Sequence, residues 1–394
     1  MATILDYLYW RGDISFTASR LNELDGLVLT RFAYLPFEHV MIKDGETIGE
    51  LTARLAKLPD KLLKLEEDRQ LLKRLEKAPR FAKLPVTDFV KENNETEVQQ
   101  FSAITVHLSD TEMYIAFCGT DSTLLGWKED FYMSFMQDVA AQKEALEYTQ
   151  AMCAKFPEKR FTLGGHSKGG NLAVYAAVNL PADLKERLDH VSNYDGPGFP
   201  QSYIAEHDFS SILERTATFI PQESVFGRIH EHAEGFSVVQ SLEHSMNQHN
   251  VYNWLVKPKK LTALAEPDSS SDIMYTAIQN ILKNTSPNQR KAYIDRIYAI
   301  LTQSDFSSLK EFGQADLRQW WTLLKNVDAI PDADRKVTQE VNGAVIRSFA
   351  EAVVDTAGEK LTDTLPVQRF LDLSPAKALA ELIEVEEANL LHHK

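Results

Sequence analysis

The chain has 394 residues, 44% hydrophobic, 25% charged and 10% aromatic, with a formal net charge of -15. This composition supports a large core and excludes whole-chain disorder, while the negative charge repels polyanions such as nucleic acid. The densest basic stretch, residues 61–80, is interleaved with Glu66, Glu67, Asp68 and Glu76 and reads as a solvated helix face, not a nucleic-acid patch. The opening MATILDYLYWRGD lacks the basic start and apolar stretch of a signal peptide, and no apolar run approaches the ~18 residues of a membrane-spanning helix. Cys118 and Cys153 are too few for a disulfide scaffold. The expectation is a cytoplasmic protein with no transmembrane segment. The RGD at residues 11–13 is read as chance in a chain with no export signal.

Residues 1–95 are predicted to be a helix-rich part of the core domain, with Leu62, Leu63, Leu71, Leu72 and Leu75 forming an apolar stripe. From residue 96 the period changes. QQFSAITVHL and TEMYIAFCG are β-branched and aromatic runs joined at Ser109-Asp110, which predicts a hairpin. A helix follows over Asp138–Phe156 and stops at Pro157; RFTLGG reads as a strand, LAVYAAVNL as a helix, and HVSNYDG and TATFIP as further strands. Alternating strand and helix predicts a mostly parallel sheet flanked by helices over residues 96–260. AEPDSSSD reads as a linker, and residues 265–394 read as a helical appendage in which Ser286-Pro287 starts a helix. Lid, homo-oligomer interface and partner surface all remain open roles for that region.

GHSKG at residues 165–169 matches G-x-S-x-G, entered by an apolar strand and left by an amphipathic helix. The motif needs a tight strand-to-helix turn, so that the Ser167 hydroxyl stands out at the carboxyl edge of the sheet. The same turn places the Lys168 backbone N–H at a helix amino terminus, where it can stabilise an oxyanion. A glycine-rich turn with a capping serine is the bland alternative. A phosphate cradle is not, because GGHSKGGN fits neither phosphate-binding pattern. After the strand ending in FCG, Thr120 can offer both a backbone N–H and a hydroxyl toward the same edge.

Three segments join this motif: FCGTDSTLLGWKEDF at 117–131, QHNVYNW at 248–254, and the opening DYLYWRGDISF with LNELDGLVLTRFAYLPFE. Together they resemble the class 3 lipases, and more specifically a bacterial family of lipase-like α/β hydrolases, over residues 1–255. The resemblance implies an α/β-hydrolase fold, an acyl-ester reaction without a cofactor, and an oxyanion donor from Gly119-Thr120 followed by Trp127 and Asp130. It also singles out His249. Asn250 stands where the family pattern has Asp.

Serine attack near neutral pH needs a general base, usually histidine, and the hydrolase chain order is serine, acid, histidine. Downstream of Ser167 lie His190, His207, His230, His232, His244 and His249. His249 is the preferred base and His244 the runner-up. The His230-x-His232 pair lacks further ligands at known spacing, so no metal is expected. For the acid, IPQESVFG points to Glu223, with Ser224 one register away, while Asp195 in NYDGPGF competes; Glu223 is slightly favoured. The resulting expectation is a serine hydrolase acting on a small-molecule or lipid ester through Ser167, His249 and a carboxylate, with Lys168 and Thr120 holding the oxyanion. A hydrolase-fold binding or scaffold protein without turnover is the alternative.

Overall fold

The computed structural model describes residues 1–43, 45–94, 96, 98–120, 124–133 and 138–302. The helices expected beyond residue 302 lie outside the described residues. The chain divides into two compact units, Met1–Pro267 and Asp268–Lys394. In the described part of the second unit, helices span Ser269–Asn284 and Pro287–Thr302. Ser286 caps the latter: its N–H donates to Gln289 Oε1 and its hydroxyl accepts from the Gln289 N–H.

Among the described residues the first unit opens with the α-helices α1 (Ile4–Arg11), α2 (Glu23–Phe32), α3 (Ile48–Leu55), α4 (Asp68–Lys77) and α5 (Pro79–Ala82). Local sequence explains their starts. Asn22 accepts from the N–H groups of Leu24 and Asp25, and Thr47 accepts from that of Glu50. In α4, Leu71, Leu72 and Leu75 face inward. Leu62 and Leu63 do not extend that stripe: Leu62 ends a short 3₁₀ turn, Asp60–Leu62, and Leu63 follows it, ahead of the helix.

The sheet then builds from β1 (Val86–Asn94), β2 (Gln99–His107) and β3 (Glu112–Phe117), paired antiparallel in sequence. After α6 (Leu124–Met133) and α7 (Ala140–Lys155) come β4 (Arg160–His166), α8 (Lys168–Asn179), β5 (Leu188–Tyr194), β6 (Thr216–Pro221) and β7 (Ser237–Val239). β3 through β7 are parallel neighbours in chain order, and Ala263–Leu264 closes the far edge antiparallel to β7. β1, VTDFVKENN, lies within the segment read as helical. Its antiparallel edge position explains the polar, half-exposed pattern that hides it in the sequence.

Period-2 alternation places the core on both faces. Tyr114 and Ala116 of β3 face a cluster shared with the amino-terminal helices, whereas Met113, Ile115 and Phe117 face α7 and α8. This three-layer, mostly parallel arrangement is the α/β-hydrolase architecture. Two buried ion pairs brace the amino-terminal layer, Arg31 with Asp68 and Arg80 with Asp25. Each is satisfied beyond the pair: Tyr252 donates to Asp68, and Tyr7 donates to Asp25. Among the described residues no helix is long and apolar enough to cross a membrane.

Candidate active site

The carboxyl ends of β3, β4 and β5 lie side by side, because Phe117 pairs with Gly165 and His166 with Tyr194. Ser167 and Asp195 stand one residue beyond the ends of β4 and β5, and Thr120 three residues beyond the end of β3. Ser167 joins β4 to α8 with φ 58° and ψ -135°, a conformation that non-glycine residues rarely hold. The approach of strand and helix permits no side chain at Gly165: a Cβ there would lie 2.0 Å from the Gly169 carbonyl oxygen. The Ser167 N–H donates to the Tyr194 carbonyl, which fastens the turn to β5.

Asp195 also has a left-handed backbone, φ 53°. Its buried carboxylate accepts from the His249 Nδ1–H at 2.6 Å, from the Gly227 N–H at 3.2 Å and from the Ser224 hydroxyl. The Nδ1–H tautomer of a neutral His249 leaves Nε2 as a lone pair. The His249 ring lies between those of Phe226 and His166, each 4.3 Å away between centroids. His166 immediately precedes Ser167, so this tilted ring contact brings the imidazole beside the serine turn.

His166 has a second contact with the same loop. A carbonyl only accepts, so the His166 Nε2–H donates to the His249 carbonyl at 2.8 Å, while the Tyr34 hydroxyl donates to the His166 carbonyl at 3.0 Å and lies 3.2 Å from the His166 Nδ1. Burial above all, then the neighbouring His249 and Arg31, hold the His166 imidazole well below the usual histidine range. Tyr34 in turn accepts from the Gly119 N–H at 2.8 Å. Gly119 is packed so closely to the serine turn that a Cβ on it would lie 3.0 Å from Ser167 Cβ. Thr120 follows, half-buried, its carbonyl accepting from Lys64 Nζ at 3.2 Å.

The loop carrying His249 is anchored from behind. Trp254 is fully buried and its Nε1–H donates to the Gln248 carbonyl at 2.7 Å. Asn250 Oδ1 caps the next turn by accepting from the Tyr252 N–H, so an amide at this position does the work of an Asx cap.

The structure places Asp195, and not Glu223, against His249. Glu223 instead accepts from His244 Nδ1 at 2.7 Å, and that histidine is 81% exposed. The physical reason is a single step of register after β6: Ser224, not Glu223, is the residue whose side chain reaches Asp195, while the Glu223 carboxylate is taken up by His244. Two of the other candidate histidines have partners elsewhere. His207 stacks on Tyr203 and contacts its carbonyl, and His232 contacts the Gly227 carbonyl and Glu234. Among the described residues no cluster of histidine, cysteine and carboxylate side chains could hold a metal. The side chains of Trp127 and Asp130 lie outside the described part.

Sequence reasoning assigned Lys168 only a backbone role and missed Glu129. The Lys168 side chain runs inward and is 1% exposed, and its ammonium pairs with Glu129 at 2.7 Å. Tyr34 and His166 were also missed; the FAYLP and GHS segments contain them, but nothing in their spacing marks them as partners.

A family model described as Mbeg1-like matches residues 75–299. No curated protein matches the chain. Among solved structures, M37 lipase is 14% identical, with 52% of this chain and 69% of that chain covered and a TM-score of 0.34. The lipase of Rhizopus microsporus var. chinensis is 12% identical, with 55% and 71% covered and a TM-score of 0.34. The Rhizomucor miehei lipase propeptide complex is 14% identical, with 50% and 67% covered and a TM-score of 0.32. At these scores the fold assignment rests on sheet order and layering. The matched model spans more than half of the 394 residues, so the chain belongs to the Mbeg1-like family.

Proposed function

We propose that the protein is a serine hydrolase that cleaves a carboxylic ester through an acyl-enzyme. Ser167 attacks the carbonyl carbon while His249 Nε2 takes the hydroxyl proton. The ester C–O bond then breaks, and His249 returns the proton to the leaving alkoxide. Water repeats the sequence and releases the acid. Asp195 holds His249 in the Nδ1–H tautomer and stabilises the imidazolium. The Lys168 N–H, with Thr120, receives the oxyanion.

The observation that carries this reading is the 2.6 Å contact between His249 and the buried Asp195, beside a serine held at φ 58° on the carboxyl edge of a hydrolase sheet. A strained turn and a desolvated, multiply bonded carboxylate are costly for a fold that needs neither. Lipid-like acyl esters are the proposed substrate class, by resemblance to the lipases.

A fluorophosphonate probe tests the reading. Folded wild-type protein is expected to gain one phosphonyl group at Ser167, located by peptide mass spectrometry, and Ser167→Ala is expected to gain none. Folded protein that resists the probe would overturn the proposal. A panel of p-nitrophenyl esters of rising acyl length then reports the acyl preference.

A further inference from the structure

Directly after the serine, where the helix begins, the chain buries a full positive charge. Lys168 is 1% exposed and Glu129 0%. A helix amino terminus disfavours a cation, and a buried ion pair recovers its desolvation cost only with complete hydrogen bonding. Both conditions are met by specific partners. The Lys168 ammonium donates to Glu129 Oε2 at 2.7 Å, to the Gln100 carbonyl at 2.7 Å and to Gln100 Oε1 at 3.2 Å. Glu129 accepts in addition from the Gln100 N–H at 2.9 Å and the Ala141 N–H at 3.2 Å.

The residues joined in this way come from the two walls of the proposed oxyanion site. Lys168 carries one oxyanion donor on its own backbone. Glu129 belongs to α6, the helix next after Thr120, which carries the other. α6 also touches Thr120 directly, since a Cβ on Gly126 would lie 2.6 Å from Thr120 Cγ2 and 2.4 Å from Gln100 Oε1. One ion pair thus fastens the amino end of α8 to the helix that backs Thr120, with Gln100 of β2 as the shared anvil.

Building on the serine hydrolase reading above, we propose that Glu129 and the Lys168 side chain are positioning residues for the oxyanion hole. They set the separation of the Lys168 N–H and Thr120, and they act through those donors without touching substrate. An apolar pair of equal volume would fill the same space, and it is the conventional solution where only packing is required. Charge and direction are what an ion pair adds.

The test uses the full-length chain, with three variants: Glu129→Gln, Glu129→Asp, and the double variant Lys168→Met with Glu129→Met. For each, the melting temperature, the second-order rate of Ser167 phosphonylation, and kcat and KM on p-nitrophenyl butyrate are measured. The expected result is a fall of about ten- to a hundredfold in kcat and in phosphonylation rate, with KM within threefold, in Glu129→Asp and in the double variant, both still folded. The double variant decides between positioning and packing, because it removes the charge conflict and restores volume. Recovery of melting temperature without recovery of kcat supports the proposal. Recovery of both overturns it and leaves the pair a packing device, as does wild-type phosphonylation in Glu129→Asp. Unfolding of all three variants assigns the pair to the fold and also overturns it. Failure of the wild type itself to label defeats the hydrolase reading, and is recognised by the wild-type arm alone.

Discussion

Three donors converge on the Asp195 carboxylate, from His249, Ser224 and Gly227, and the left-handed backbone at Asp195 turns it toward them. Glu223, two residues beyond the end of β6, accepts from the imidazole of His244, which is 81% exposed. The two carboxylates therefore differ in what their loss would do. Asp195→Asn is expected to slow Ser167 phosphonylation and ester turnover about 10³- to 10⁴-fold, because the amide no longer selects the Nδ1–H tautomer. Glu223→Gln is expected to stay within about twofold, because its partner His244 is 81% exposed and a pair with one member in water contributes little. Parallel rate measurements on the two variants check both statements, and equal losses would contradict this division of roles. Ser167 and His249 were legible because a motif with correct flanks and a segment resemblance pointed to them. The choice of acid was not, since Asp195 and Glu223 both follow strands and only the side-chain direction at β6 separates them.

At the scale of elements, strands with strict alternation or flanking turns were readable: β2, β3, β5 and β6 fall where their apolar periods place them. β1 and β7 escaped, one for its polar edge character and the other because three residues carry no period. The contacts that hold the His249 loop were equally hidden, because they join residues far apart in the chain. Arg31 of α2 meets Asp68 of α4 in a bidentate pair, and the Tyr252 hydroxyl donates to Asp68 at 2.8 Å. Removing the negative charge leaves a buried guanidinium. Asp68→Asn is accordingly expected to cost about 3–5 kcal/mol, read from the shift in the urea midpoint. Tyr252→Phe keeps the ion pair and is expected to cost about 1 kcal/mol. A loss in Asp68→Asn no larger than in Tyr252→Phe would show that the pair is solvated.

For the whole molecule, several histidines are buried in neutral form. Burial first, and Lys159 second, push His107 down to about 4, and burial also lowers His166 and His190. In the unfolded chain each would take a proton near its ordinary pKa of about 6.5. The unfolded state therefore binds more protons than the folded one as pH falls below that value. Stability is complete above about pH 6.5 and declines toward the folded-state values, through pH 4 for His107. Between pH 6.5 and 5, His107 alone is expected to account for on the order of 1 kcal/mol once solvent screening is allowed for. Urea titrations across this range should show the decline, with a shallower slope in His107→Gln, whose amide can still reach Thr87. A slope unchanged by that substitution would remove His107 from the account. The positive φ at Ser167 has a separate consequence for global stability. Glycine at that position would relieve roughly 1–3 kcal/mol of backbone strain and return about 0.4–1 kcal/mol through the greater freedom of the unfolded chain. Ser167→Gly is thus expected to melt later than the wild type while labelling not at all. The chain would then rank among proteins whose most robust version is an inert one, with its working version held uphill by a single torsion angle.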